Sequence, residues 1–144
     1  MVDFDYWFDG IVGTCELIAS ESAFRKVWID GDHTIASIHG YAELYAQLTE
    51  DLCLDRNLRE FASTTGDEPT IRTVGCISQA LKILEESIEV NRELNDPATL
   101  LFSPQWATFR ECARQVIALP RAQPYRNGRM TEAILRRLQD RSSD

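Results

Sequence analysis

No apolar run in this chain approaches the roughly 20 residues that a membrane-spanning helix needs. Histidine is scarce, with His33 and His39 the whole supply, so any imidazole-based catalysis would have to be built from that pair. No G-x-S-x-G elbow occurs, and the seven glycines are too scattered to cradle a phosphate. The four cysteines, Cys15, Cys53, Cys76 and Cys112, include no C-x-x-C pair, and neither histidine stands where it would complete a zinc knuckle. The N-terminal stretch Met1–Asp9 carries three aspartates where a secretory signal would carry positive charge, which gives the expectation of a cytoplasmic protein. These absences argue against an enzyme, a metalloprotein and a membrane protein. The expectation is a protein that works without cofactor or metal.

Acid is what the chain has in excess, and it is unevenly placed. The formal net charge is −8, but residues 1–104 hold nineteen Asp/Glu against seven Lys/Arg, while residues 105–144 hold eight Arg against four acids. Apolar residues make up 44% of the chain, with three Trp, six Phe and four Tyr, enough for a real core. At 144 residues, one domain spanning 1–144 is expected, burying about two-thirds of its unfolded surface without help from disulfides. The cysteines read as reduced, buried, small apolar side chains; two disulfides would be the alternative in an oxidising compartment.

The pattern of apolar residues predicts a mainly α protein, a helical bundle around a central helix over about 69–94. Asp67-Glu68-Pro69 supplies a capping aspartate with proline in the first turn. From there Cys76, Ile77, Ala80, Leu81, Ile83, Leu84, Ile88, Val90 and Leu94 fill about half the helix circumference, with Asn95-Asp96-Pro97 as the stop. A second helix is expected over Tyr41–Leu52, a short one near Asp55–Ala62, a third from Ser103-Pro104 to before Pro120, and a last one over Thr131–Asp140, with Ile134, Leu135 and Leu138 inward. Residues 121–129 read as a basic loop, and residues 141–144 as a frayed end. Near the N-terminus, Phe8, Ile11, Val12, Cys15, Ile18 and Ala19 keep helical spacing, although Gly10 and Gly13 each cost about 1 kcal/mol relative to Ala. Residues 24–38 admit two readings: continued helix through Ala23-Phe24-Val27-Trp28, or a small β-hairpin turning at Asp30-Gly31-Asp32-His33.

Several clusters invite chemistry. The Asp30–His33 turn, with His39, offers metal-ligand types, but its glycine comes too early for a calcium loop and Asp-Gly-Asp is first of all a turn. Cys76 is expected on the inward face of the central helix, inert for lack of a basic neighbour. Adjacent carboxylates such as Glu85-Glu86 fall mainly on solvated positions. The Arg-rich tail (Arg110, Arg114, Arg121, Arg126, Arg129, Arg136, Arg137, Arg141) could meet phosphates, yet Glu111, Glu132 and Asp140 interrupt it and no aromatic series accompanies it. The acids of the middle are a better surface. Asp30 and Asp32, then Glu43, Glu50, Asp51 and Asp55, then the helical stripe Glu86, Glu89 and Glu93 belong to one region of chain, and if they converge they form a negative field that steers a basic partner.

At Ala23-Phe24-Arg25-Lys26-Val27-Trp28-Ile29-Asp30-Gly31-Asp32, followed by Ser37, Tyr41-Ala42-Glu43-Leu44-Tyr45 and Asp51-Leu52, the chain resembles small bacterial immunity proteins. These are the cytoplasmic antidotes of contact-dependent growth inhibition and related polymorphic toxin systems. The resemblance covers residues 5–60 and rests on the spacing of aromatic and acidic positions; it carries no binding residue over to a numbered position. It implies a protein that binds the C-terminal toxin domain of a large secreted effector and occludes its active site, the toxin commonly being a nuclease with a basic cleft. Two other expectations stand beside it: a helical regulatory module touching nucleic acid through the Arg-rich C-terminal segment, and a hydrolase using His33 or His39.

Overall fold

Asp3 opens the first helix by accepting a hydrogen bond from the Tyr6 amide at 3.1 Å, satisfying one of the amides that a helix start leaves unpaired. In the computed structural model, which describes residues 3–34 and 36–142, this helix, α1, runs Phe4–Ala19. Its buried stripe of Trp7, Phe8, Ile11, Val12, Cys15 and Ile18 follows the expected spacing. Gly10 has a packing reason: a Cβ there would lie 2.6 Å from Cδ2 of Leu52. At the same corner the Trp7 indole donates to the Leu52 carbonyl at 2.8 Å.

Among the described residues the chain forms no strand, so the hairpin reading of residues 24–38 gives way to the helical one. Arg25–Ile29 make a π-helical turn with Val27 buried. Trp28 stacks on Phe24, ring centroids 4.4 Å apart, the contact that i,i+4 spacing in a helix permits. Its indole donates to the Ile38 carbonyl at 2.9 Å, fastening the loop that follows. Ile35, within the second expected strand, lies outside the described residues, as do Met1 and Val2 of the N-terminal segment and Ser143 and Asp144 of the expected frayed end.

The expected helix over 41–52 divides. Its first part, α2 (Tyr41–Ala46), passes into a π-helical turn over Gln47–Asp51, and Cys53 at φ 43° reverses the chain into α3 (Leu54–Thr64). The Leu52 carbonyl accepts from both Trp7 and the Asn57 side chain, each at 2.8 Å, so one peptide ties α1 to this corner.

α4 (Glu68–Val90) starts as expected, with Asp67 accepting from the Thr70 amide and Pro69 in the first turn. It stops short of Leu94. Asn91 is extended, and its side chain accepts from the Glu93 amide at 3.1 Å, turning Arg92–Asn95 into a 3-10 turn that still buries Leu94. The stop leaves Val90 88% exposed rather than on a buried arc, and Ile83 is likewise exposed. A short helix α5 (Pro97–Leu101) follows the Asp96 cap, and α6 (Pro104–Ile117) follows the Ser103 cap. Residues Pro120–Gly128 are not an open loop: they wind as 3-10 turns that bury Ala122 and Tyr125 against the core. α7 (Thr131–Ser142) buries Ile134 and half-buries Leu138, while Leu135 is exposed; the helix continues through Arg141, where fraying was expected.

The helical bundle is layered. α6 packs against both α4 and α1; the 3-10 segment and α7 cover the outside of α1, and α3 lies on α4. One cluster joins Phe8, Ile11, Ile77, Leu84, Phe109 and Val116 with their neighbours into the core. All four cysteines are free thiols, with Cys15 buried and Cys53, Cys76 and Cys112 half-buried, so three of the four are less enclosed than expected. No helix among the described residues is long and apolar enough to cross a membrane.

Candidate functional site

The Arg-rich tail is largely engaged within the molecule. Arg137 meets Asp3 at 2.9 Å and Asp5 at 3.2 Å, Arg141 meets Asp3, Arg126 meets Glu16, Arg121 meets Asp67, and Arg114 meets Glu21. Tyr125 donates its hydroxyl to Asp5, and this bond, more than the Arg137 guanidinium beside it, holds the Asp5 carboxyl below the usual carboxylate range against the opposing effect of burial. Arg136 pairs along its own helix with Glu132 at 2.6 Å.

The nine acids expected to bind a partner all lie exposed. Among the described residues, Asp55 is the one of the nine held in an ion pair, with Lys82 at 3.6 Å. Glu43 accepts from the His39 amide at 2.7 Å, closing the loop before α2. Asp32 accepts from both the amide and the hydroxyl of Thr34, so Asp30-Gly31-Asp32 is a turn, with Gly31 at φ 75°. Those bonds, the hydroxyl's above all, lower the Asp32 carboxyl below its ordinary value. The same loop brings the His33 and His39 rings to 4.1 Å between centroids. No group of three or more His, Cys, Asp or Glu is gathered among the described residues in a way that could hold a metal.

The nine do not converge on one spot. Asp55 and Glu86 share a groove of about 560 Å³ between α2, α3 and α4. Asp51 edges a separate groove where Tyr6 and Gln47 meet Leu135 of α7. Asp30 and Asp32 sit on the loop before α2, and Glu93 on the 3-10 turn after α4.

The α2–α4 groove contains residues that periodicity did not single out. Its apolar surface comes from Tyr45, Leu54 and Leu81, and Thr49, Cys53 and Ser78 add small polar groups. Arg56 and Arg59 line it from α3, Glu85 and Glu86 from α4. Asp55 accepts from the Ser78 hydroxyl and faces Lys82, so this carboxylate and this ammonium answer one another across α3 and α4. Glu85, expected on a solvated position, is half-buried and accepts from the Tyr41 hydroxyl at 3.0 Å. Burial, reinforced by the Glu85 charge, pushes the Tyr41 phenol up, so Tyr41 remains a donor. The i,i+3 spacing of Arg56 and Arg59 on a helix was the one sequence signal for the α3 wall.

No protein-family model, no curated protein and no solved structure matches this chain.

Proposed function

We propose that this protein is a cytoplasmic, non-enzymatic immunity protein that binds the C-terminal domain of a secreted bacterial toxin and occludes its active site, the toxin being a nuclease with a basic cleft. One observation carries the reading: most acids near the ends are matched by arginines within the molecule, whereas eight of the nine acids singled out in the middle face solvent without an ion pair among the described residues. Residues 30–96 hold fourteen Asp/Glu against five Lys/Arg. Glu50, Asp51, Glu86, Glu89 and Glu93 are exposed, and none of them forms an ion pair among the described residues. Unpaired negative charge spread over the surface in this way accelerates encounter with a basic partner and loses that advantage as salt screens it. The nucleic-acid reading is weakened by the same distribution, because six of the tail's eight arginines already serve carboxylates.

The experiment is calorimetry of the purified chain with the C-terminal domain of a large secreted protein encoded directly upstream, at low and high salt. Nanomolar 1:1 affinity that weakens with salt is the expected result. Reversing Glu86 and Glu89 to Lys should slow association, while an unchanged on-rate would remove that stripe from the binding face. Absence of binding at both salts would end the immunity reading.

A further inference from the structure

Resting on that reading, we infer that the α2–α4 groove receives one segment of the toxin domain, an apolar side chain flanked by a cation on its α4 side and an anion on its α3 side. The groove's size falls in the range of about 300–1,000 Å³ that ligand pockets occupy, enough for one large side chain and its neighbours. Leu54 and Leu81, 3% and 4% exposed, form an apolar bed, and Tyr45, 38% exposed, offers a ring beside it.

The walls differ in sign. Asp55 and Lys82 neutralise one another, and this leaves Arg56 and Arg59 on the α3 wall facing Glu85 and Glu86 on the α4 wall. Neither arginine forms an ion pair among the described residues. The Tyr41 hydroxyl orients the Glu85 carboxylate before any partner arrives, which lowers the cost of ordering it on binding. Beyond Glu86 the apolar surface resumes. Ile83 and Val90, three residues before and four residues after it on α4, stand exposed on the same helix face. An apolar centre with charged edges is the anatomy of a protein-docking site. A uniformly basic segment would meet repulsion from Arg56 and Arg59, so opposed walls select both the partner and the direction in which it lies.

This arrangement separates from simple electrostatic steering in one variant. Arg59→Glu makes the face more negative, so steering alone predicts faster association with a basic partner and an unchanged dissociation rate. The groove predicts dissociation faster by roughly tenfold, because a charge pair at the edge of a desolvated contact is lost. Association and dissociation rates would be measured with the same upstream-encoded domain for the full-length wild type and for Arg59→Glu, Glu86→Arg, Tyr45→Ala and Tyr45→Phe. Glu132→Gln on α7 serves as a distant control, and thermal unfolding checks that every variant is folded. Faster dissociation in the first three, with Tyr45→Phe and Glu132→Gln near wild type, supports the inference. If the wild type binds tightly and Arg59→Glu and Tyr45→Ala dissociate at its rate, the groove is not the site and the immunity reading stands without it. If the wild type does not bind, the immunity reading falls and the groove assignment falls with it.

Discussion

At the ends of the chain, Asp3 and Asp5 close onto Arg137, Asp3 also meets Arg141, and Glu16 meets Arg126, all across sequence separations above one hundred residues. In the middle, from Asp30 to Glu93, eight of the nine acids singled out from the sequence have no ion pair among the described residues. The same residue types therefore serve two ends. In the first region charge helps to hold α7 and the 3-10 segment onto α1; in the second it remains largely at the surface, with Asp32 and Glu43 making local bonds and, among the described residues, Asp55 alone bridging two helices. A region that keeps unpaired like charges is one where a partner's opposite charge has most to offer. The two regions are joined at the Leu52 carbonyl, which the Trp7 indole reaches from α1 and the Asn57 amide from α3.

The largest expected effect breaks that joint. Trp7 is 1% exposed and packs on Phe61, centroids 5.1 Å apart. Trp7→Ala should cost about 3–5 kcal/mol in denaturant unfolding, because it removes a buried aromatic and leaves a cavity between the regions. A loss below about 1 kcal/mol would mean that α1 and the α2–α3 corner are not coupled in this way.

A smaller effect tests the ends alone. Arg137→Ala should lower stability by at most about 1 kcal/mol, since its side chain is 38% exposed and its ion pairs are partly screened. The loss should shrink as salt rises. Acid titration gives a second handle. The depressed carboxyls of Asp5, held mainly by Tyr125, and Asp67, held mainly by Thr70, favour the folded state fully above the ordinary aspartate value of 3.8. That contribution disappears as pH falls through their lower folded values. Asp9 opposes them, because burial raises its carboxyl, and its ionisation works against folding above its ordinary value. Asp5→Asn should therefore flatten the acid limb of the stability curve, and an unaltered limb would contradict the part assigned to Asp5.

The smallest expected effect belongs to the middle. Glu89→Gln should change unfolding stability by no more than about 0.5 kcal/mol, and the change should favour the folded state if like-charge repulsion dominates there. A clear destabilisation by this substitution would show that the middle acids help to hold the fold, and the contrast between the regions would fail.

Much of this architecture could be read from the sequence, because local signals mark helix starts. Asp67-Glu68-Pro69 and Ser103-Pro104 both act as the caps their residue types suggest. Helix ends were harder. α4 stops at Val90 because the Asn91 side chain binds the Glu93 amide, a competition that apolar periodicity does not register. Residues 120–128 look like a loop by their prolines and arginines, yet the burial of Ala122 and Tyr125 winds them against α1. The exposure of all nine acids was legible, since charged positions opposite an apolar stripe face water. The groove was not. Arg56 and Arg59 meet Glu85 and Glu86 because α3 lies on α4, a juxtaposition set by packing across the chain reversal and absent from any single helical repeat.

Neutralisation of a toxin is read most plainly from growth. Bacteria induced to express the C-terminal domain of a secreted protein encoded directly upstream, the proposed toxin, would be followed with and without this chain in the same cells. The wild-type chain should restore growth, and the Glu86→Lys, Glu89→Lys double variant, folded to the same extent, should restore it less. Growth arrest that persists with the folded wild-type chain present would contradict the immunity reading.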